Sequence, residues 1–160
     1  MRGQLARLLA ELRSDRIALT AHLATLEGLE LGATEDEGML SRAAWALHHA
    51  YTAVETILER CARTLEDGVP EGGSWHRELL DTARLELPGV RPPLLSDGTV
   101  TQLHDLRAFR HFVRHGYAVR LDVRRLLDLQ ETAGSLRPDL DADLDQVDAW
   151  LVTLLEAASR

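Results

Sequence analysis

The chain has 160 residues, a mass of 17.8 kDa and a formal net charge of −8. A hydrophobic fraction of 45% and a charged fraction of 28% are typical of a globular domain and exclude disorder of the whole chain. The single cysteine, Cys61, excludes an intramolecular disulfide and a multi-cysteine zinc site. We expect one domain over residues 1–160 in the cytoplasm, because neither a membrane-spanning apolar run nor a signal peptide is visible.

The charge is unevenly distributed along the chain. All 18 basic residues are arginines, and residues 104–125 contain six of them against two aspartates, a local charge of +4 that leaves −12 for the remainder. A basic segment on an acidic body can bind a phosphate locally while the body discourages non-specific association. The acidic stretch at 139–148 is expected to be a solvated helix face or a contact for a basic partner.

Helix is expected throughout, because Leu, Ala, Arg and Glu predominate and β-branched residues are few. The first predicted helix covers about residues 3–27. The second covers about 34–66 and opens with a capping box formed by Thr34 and Glu37. Apolar residues recur along it every three or four positions, a pattern typical of a helix packed in a bundle. This seam consists of Leu40, Ala44, Leu47, Tyr51, Val54, Leu58, Cys61 and Leu65.

The remaining helices follow two loops. A short third helix is expected over about 74–85, capped by Ser74. The fourth opens with a capping box of Thr99 and Gln102 and ends at His115.

From residue 122 the helical pattern resumes, and Pro138 either bends one long helix or begins another. The predicted fold is an all-α bundle of about five or six helices, with antiparallel up-down core helices and no strand.

The end of the fourth predicted helix carries the densest group of reactive side chains. Arg110 and Arg114 are four residues apart, so their like charges repel unless an anion bridges them. His111 and His115 have the same spacing. Arginine stabilises charge on phosphate oxygens, and histidine moves the proton of a hydroxyl or a leaving oxygen. The group therefore favours a phosphoryl-transfer site.

Two other interpretations of this group remain open. His104, His111 and His115 have helical same-face spacings that suit a zinc site, although arginines in the same turn repel a dication. The group could also be a solvated helix end without a chemical role.

The same residues carry a family resemblance. The pattern from Arg110 and His111 through His115 resembles the R-φ-x-x-x-H signature of HEPN ribonucleases, where φ is Asn, Asp or His. With Tyr117 it is similar to the R-x-x-x-x-H-x-Y form of HepT toxins, which are paired with nucleotidyltransferase antitoxins. Segments 47–55 and 67–80 resemble the second helix of HepT-like proteins and the loop and helix that follow it.

The resemblance implies a HEPN-like bundle that acts as a metal-independent endoribonuclease without a cofactor. Its substrate would be RNA, with tRNA as one candidate, cleaved at a composite site in a homodimer. Arg110 would contact the scissile phosphate, His115 would orient or deprotonate the 2′-hydroxyl, and His111 would support them. A nucleotidyltransferase antitoxin would add AMP to Tyr117, which would repel and obstruct an anionic substrate.

A second tier of residues is expected to support catalysis or bind RNA. It consists of Arg107, Arg114, Glu55 and His76, with Arg77 and Arg91 extending the surface. His48 and His49 are adjacent on a helix, so at most one of them faces the site. The alternative function is a non-catalytic HEPN-type module that binds nucleotide or RNA, or serves as an adaptor for a nucleotidyltransferase.

Overall fold

The structure, a computed structural model, describes residues 1–32, 36–115 and 121–158, and of residues 110–115 it describes the backbone alone. Five α-helices form in this part of the chain: α1 (Arg2–Glu27), α2 (Glu37–Leu65), α3 (Trp75–Ala83), α4 (Asp97–His115) and α5 (Val123–Ala157). The described residues contain no β-strand, and the only β-type pairing among them is an isolated antiparallel bridge between Leu87 and Arg91. The all-helical fold is therefore confirmed.

The cap of α2 differs from the predicted one. The helix begins at Glu37, and the side chain of Asp36 accepts hydrogen bonds from the backbone nitrogens of Gly38 and Met39, at 2.8 and 3.4 Å. An aspartate in this position satisfies the unpaired N–H groups of the first turn. Thr34, the predicted cap, lies outside the described residues.

The predicted capping box of α4 is wrong. The helix begins at Asp97, and the hydroxyl of Ser96 accepts the backbone N–H of Thr99 at 3.3 Å. Thr99 is already inside the first turn, fully buried, and its own hydroxyl donates to Asp143 at 2.6 Å. The amide of Gln102 donates across to α5 rather than back to the cap. At α3, Ser74 does precede the helix, but its side chain makes no capping hydrogen bond.

Pro138 lies inside α5, which continues through it as a single helix. Proline lacks the N–H that would bond to the carbonyl of residue 134, and its ring crowds that carbonyl. Residue 134 is a glycine, so no side chain adds to the crowding there. Of the two alternatives that the sequence left open, the structure therefore shows one long C-terminal helix and not a new helix that begins at Pro138.

The four long helices alternate in direction. Antiparallel packing follows from paired contacts whose residue numbers rise in one helix as they fall in the other. These contacts are His22–His49 and Asp15–Arg60 for α1 with α2, Arg13–Asp148 and Arg16–Asp145 for α1 with α5, and Thr99–Asp143 and Gln102–Ser135 for α4 with α5. Consequently α1 and α4 run one way and α2 and α5 the other, as the up-down prediction requires.

The predicted seam of α2 forms the centre of the core. Seven of its eight residues are buried, and Leu65 at the end of the helix is half-buried against the same cluster. Cys61 belongs to this seam, and burial raises the pKa of its thiol to about 12, so it packs as a small apolar side chain. No helix in the described part of the chain has an apolar stretch long enough to cross a membrane.

The acidic stretch of α5 is not simply a solvated face. Asp148 and Asp145 form ion pairs with Arg13 and Arg16 of α1, at 2.7 and 2.5 Å. Asp143 is buried and bonds to the first turn of α4. The stretch therefore joins α5 to two neighbouring helices within the chain.

Candidate active site

A buried carboxylate–histidine pair lies between α2 and α3. Glu55 is one turn beyond Tyr51 on α2, and its side chain is only 6% exposed. Its Oε2 lies 2.6 Å from Nδ1 of His76 at the start of α3. An ionised carboxylate only accepts hydrogen bonds, so opposite such a carboxylate Nδ1 is the nitrogen that carries a proton. We call Glu55 and His76 the carboxylate–histidine pair.

The ring of Trp75 covers one side of this pair. Its centroid lies 3.5 Å from that of His76, with the two planes tilted by 32°. Trp75 is itself partly buried against the hydrophobic core. The imidazole is therefore held by a hydrogen bond at one nitrogen and by ring packing from its chain neighbour, which restricts its orientation.

Arg91 does not belong to an RNA-binding surface, contrary to the sequence-based expectation. Its side chain is 1% exposed, and its Nε donates to Glu66 at 2.7 Å. The remaining guanidinium nitrogens donate to the backbone carbonyls of Leu85, Pro92 and Thr82. Arg91 thus connects the end of α2 to α3, through Thr82, and to the segment that follows α3. A planar guanidinium can bind several acceptors at once in this way.

The helix α3 is also connected to α4. Nε2 of His104 lies 3.0 Å from a carboxylate oxygen of Asp81, and Arg77 approaches the other oxygen at 3.5 Å. His104, one of the three candidate zinc ligands, is therefore engaged by a carboxylate of the neighbouring helix. Within the described residues, no group of three or more His, Cys, Asp or Glu side chains is arranged to hold a metal ion.

The predicted catalytic motif begins in the last turns of α4. The buried stripe of this helix is Val100, Leu103, Leu106 and Phe109, and the helical backbone continues through Arg110 to His115. Because α4 is antiparallel to α2, this end of α4 is directed toward the N-terminal half of α2. The side chains of Arg110, His111, Arg114 and His115, and all of Tyr117, lie outside the described part of the structure.

Arg107 precedes this motif by one turn and has an unusual environment. It is half-buried, and its Nε is shielded from solvent without a hydrogen-bond partner among the described residues. Burying a polar N–H in this way costs free energy unless a ligand or another group accepts it. The arginine is thus placed for an acceptor that the described side chains do not supply.

These features define an all-helical domain of the HEPN type, with a carboxylate–histidine pair between two helices that both contact α4. The chain matches the family model of HepT-like proteins over residues 42–151 and belongs to that family. The matched region contains the carboxylate–histidine pair and the whole of α4. Searches of curated proteins and of solved structures found no match.

Sequence reasoning identified Glu55 and His76 as supporting residues but missed the structural partners around them. Arg77 and Asp81 have the four-residue spacing of a helical ion pair, a signal that was available in the sequence. Nothing local indicates that Arg91 bonds to Glu66, because 25 residues and a loop separate them.

Proposed function

We propose that this protein is a metal-independent endoribonuclease toxin that cleaves RNA at a composite site formed by two protomers. The observation that carries the proposal is the buried carboxylate–histidine pair, on helices that contact the one bearing Arg110 and His115. A buried carboxylate destabilises a helical bundle unless its hydrogen-bond partners compensate for the loss of hydration. The presence of such a carboxylate beside a histidine therefore favours a chemical role. Membership of the HepT-like family supports the same class of activity.

The reaction requires stabilisation of the negative charge on the phosphate and one proton transfer at each of two oxygens, the attacking 2′-oxygen and the leaving 5′-oxygen. Arg110 binds the non-bridging oxygens of the scissile phosphate and stabilises the charge that builds up there. His115 takes the proton of the 2′-hydroxyl, whose oxygen attacks phosphorus. The bond from phosphorus to the 5′-oxygen breaks, and that oxygen takes a proton from water or a protonated imidazole. The products are a 2′,3′-cyclic phosphate and a 5′-hydroxyl.

The supporting residues have distinct parts in this scheme. His111 is the polar residue that assists Arg110 and His115, and Arg114 adds positive charge for the RNA backbone. Arg107, one turn before the motif, adds further positive charge for the RNA backbone. Glu55 acts through His76, which it holds in one tautomer and orientation.

Helical geometry supports a homodimer. Five residues at 100° each place Arg110 and His115 about 140° apart around an ideal helix. One helix therefore does not easily direct both side chains to the same phosphate. The two groups can meet at one phosphate if the helix ends or bends near Gly116, or if a second protomer supplies one of them. In the proposed homodimer each RNA strand meets an arginine from one chain and a histidine from the other.

The proposed regulator is a nucleotidyltransferase antitoxin that transfers AMP to the hydroxyl of Tyr117. The phenolic oxygen attacks the α-phosphorus of ATP, the bond to the β-phosphate oxygen breaks, and pyrophosphate leaves. The added phosphodiester places a negative charge two residues beyond His115, where it repels the RNA backbone.

The reaction is tested with a defined RNA oligonucleotide and a matched oligonucleotide that has one 2′-deoxyribose at the cleaved position. We expect cleavage of the first, with cyclic-phosphate and 5′-hydroxyl ends, and none at the deoxy position. Arg110→Ala should lower the rate by at least about 100-fold, as is typical for loss of a charge-stabilising group. Arg63→Ala is the control, since Arg63 is exposed on α2 and pairs with Glu59.

Cleavage at the deoxy position, or products with 5′-phosphate ends, would contradict the proposed mechanism. RNA binding without cleavage in protein whose Tyr117 is verified as unmodified by mass spectrometry would favour the alternative, a non-catalytic binding or adaptor module.

A further inference from the structure

Three aromatic rings from α1 and α2 form a column at the protein surface. His22 of α1 stacks on His49 of α2 with centroids 5.1 Å apart and planes within 23°. Trp45, one turn earlier on α2, also stacks on His49, with centroids 4.8 Å apart and planes within 16°. We call His22, His49 and Trp45 the ring column.

The column ends in an exposed indole. Trp45 is 59% exposed although its ring stacks on His49 and lies 5.9 Å from the ring of His48 in a T-shaped arrangement. Tryptophan is usually buried to a large extent, and it makes large favourable contacts when it is covered. A second planar ring could stack on the uncovered face and extend the column by one member.

At the inner end of the column, the surroundings of His22 disfavour its protonation. Burial, and secondly the charge of His49, lower the pKa of His22. A neutral imidazole can lie against another ring without the repulsion that two imidazolium ions would create. The indole is therefore backed by a fixed aromatic support rather than by a mobile charged side chain.

The column is near the candidate active site along α2. Trp45 and Glu55 are ten residues apart, roughly 15 Å along the helix axis. His48, which contacts the ring of Trp45, precedes Glu55 by seven residues and so lies on the same face of α2. The motif-bearing end of α4 is also directed toward this half of α2. A short single strand could reach from the cleavage site to the indole.

We propose that Trp45, supported by His49 and His22, is a stacking platform for one unpaired base of the RNA substrate. The proposal rests on the proposed ribonuclease function for the identity of the strand. Stacking on an aromatic side chain tolerates any base, because every base has a π-face. Arg42, exposed one turn before Trp45, is placed to contact the phosphate of the stacked nucleotide. The platform would hold the strand on the side of α2 that leads to Glu55.

The test measures binding of a fluorescent 2′-O-methyl oligoadenylate, which resists cleavage because it lacks the attacking hydroxyl. We expect Trp45→Ala to weaken binding by about 5- to 150-fold, the contribution of one stacked base. Trp45→Phe keeps an aromatic face and should retain most of the affinity. Leu85→Ala is the matched control, since Leu85 is also a large exposed apolar residue, located away from the column.

The outcomes separate this proposal from the proposed function. If Trp45→Ala binds the oligonucleotide as tightly as the unaltered protein, or if neither binds it, the platform is overturned whatever the cleavage activity. If binding depends on Trp45 but no RNA is ever cleaved, the platform stands and the ribonuclease proposal fails. A change in oligomeric state on sedimentation of Trp45→Ala, with unchanged RNA affinity, would assign the indole to a protein interface instead.

Discussion

Glu55 occupies a position on α2 that packing alone would assign to an apolar residue. Its neighbours one turn away on the helix, Tyr51 and Leu58, are each at most 2% exposed. A carboxylate in such surroundings is tolerated because His76 bonds to it, yet an apolar residue of similar size would often be no less stable. Functional sites often keep residues that do not favour stability. The burial of its carboxylate in apolar surroundings distinguishes Glu55 from the more exposed glutamates of the same helix.

Replacing Glu55 by glutamine tests whether its charge matters for activity. We expect Glu55→Gln to lower RNA cleavage by about 100-fold, because a misplaced or wrongly tautomerised His76 disturbs the geometry of the site. The midpoint of thermal unfolding should change little, since the amide, which can donate as well as accept, still forms a hydrogen bond with the ring. Cleavage rates and melting curves of the two proteins provide the measurement.

Glu59→Gln is the control for that substitution. Glu59 lies one turn further along α2 and pairs with the exposed Arg63, so its loss should leave cleavage unchanged. Equal activity of Glu55→Gln and the unaltered protein would remove Glu55 from the site and leave it a purely structural role.

At the scale of elements, the position of α4 depends on a contact with α5. Oδ2 of Asp143 accepts hydrogen bonds from the backbone N–H of Ser96 at 2.9 Å and from the hydroxyl of Thr99 at 2.6 Å. These bonds hold the first turn of α4 and supply an acceptor to one backbone N–H at the start of the helix. The start of α4 is thereby fixed while its other end carries the proposed catalytic motif.

Removing that carboxylate should destabilise the fold. We expect Asp143→Ala to lower the free energy of unfolding by about 2–3 kcal/mol, because a buried hydroxyl and a partly buried backbone N–H lose a charged acceptor. Urea denaturation measures the change. Asp139→Ala, at an exposed position one turn earlier on α5, should alter stability by less than about 0.5 kcal/mol. Similar values for the two variants would show that Asp143 does not anchor α4.

The amino-acid sequence predicted those features that depend on residues close together along the chain. The three- and four-residue spacing of the α2 seam predicted which of its residues are buried, because this spacing places them on one face of the helix and that face packs against the neighbouring helices. The start of α4 was misplaced because its stabilising acceptor, Asp143, is 44 residues from Thr99 in sequence. The contact of Glu55 with His76 likewise depends on tertiary packing across 21 residues, so the resemblance indicated both residues but not their hydrogen bond.

At the scale of the whole molecule, the distribution of charge agrees with an RNA-cleaving role. Several acidic residues of the body are neutralised within the bundle, where Arg13 and Arg16 join α5 to α1 and Arg137 pairs with Glu27. Residues 104–125 keep a local charge of +4 on a chain of net charge −8. A basic segment in an acidic surrounding directs a polyanion to one place and limits binding elsewhere.

The central claim is that this HepT-like protein cleaves RNA without a metal ion, using His115. The most direct measurement is incubation of total bacterial RNA with purified protein in excess EDTA, beside His115→Ala prepared in the same way. The account predicts discrete products from the unaltered protein and none from the variant, because the variant lacks the group that accepts the 2′-hydroxyl proton. Equal products from both proteins, or no products from protein whose Tyr117 is unmodified, would contradict it.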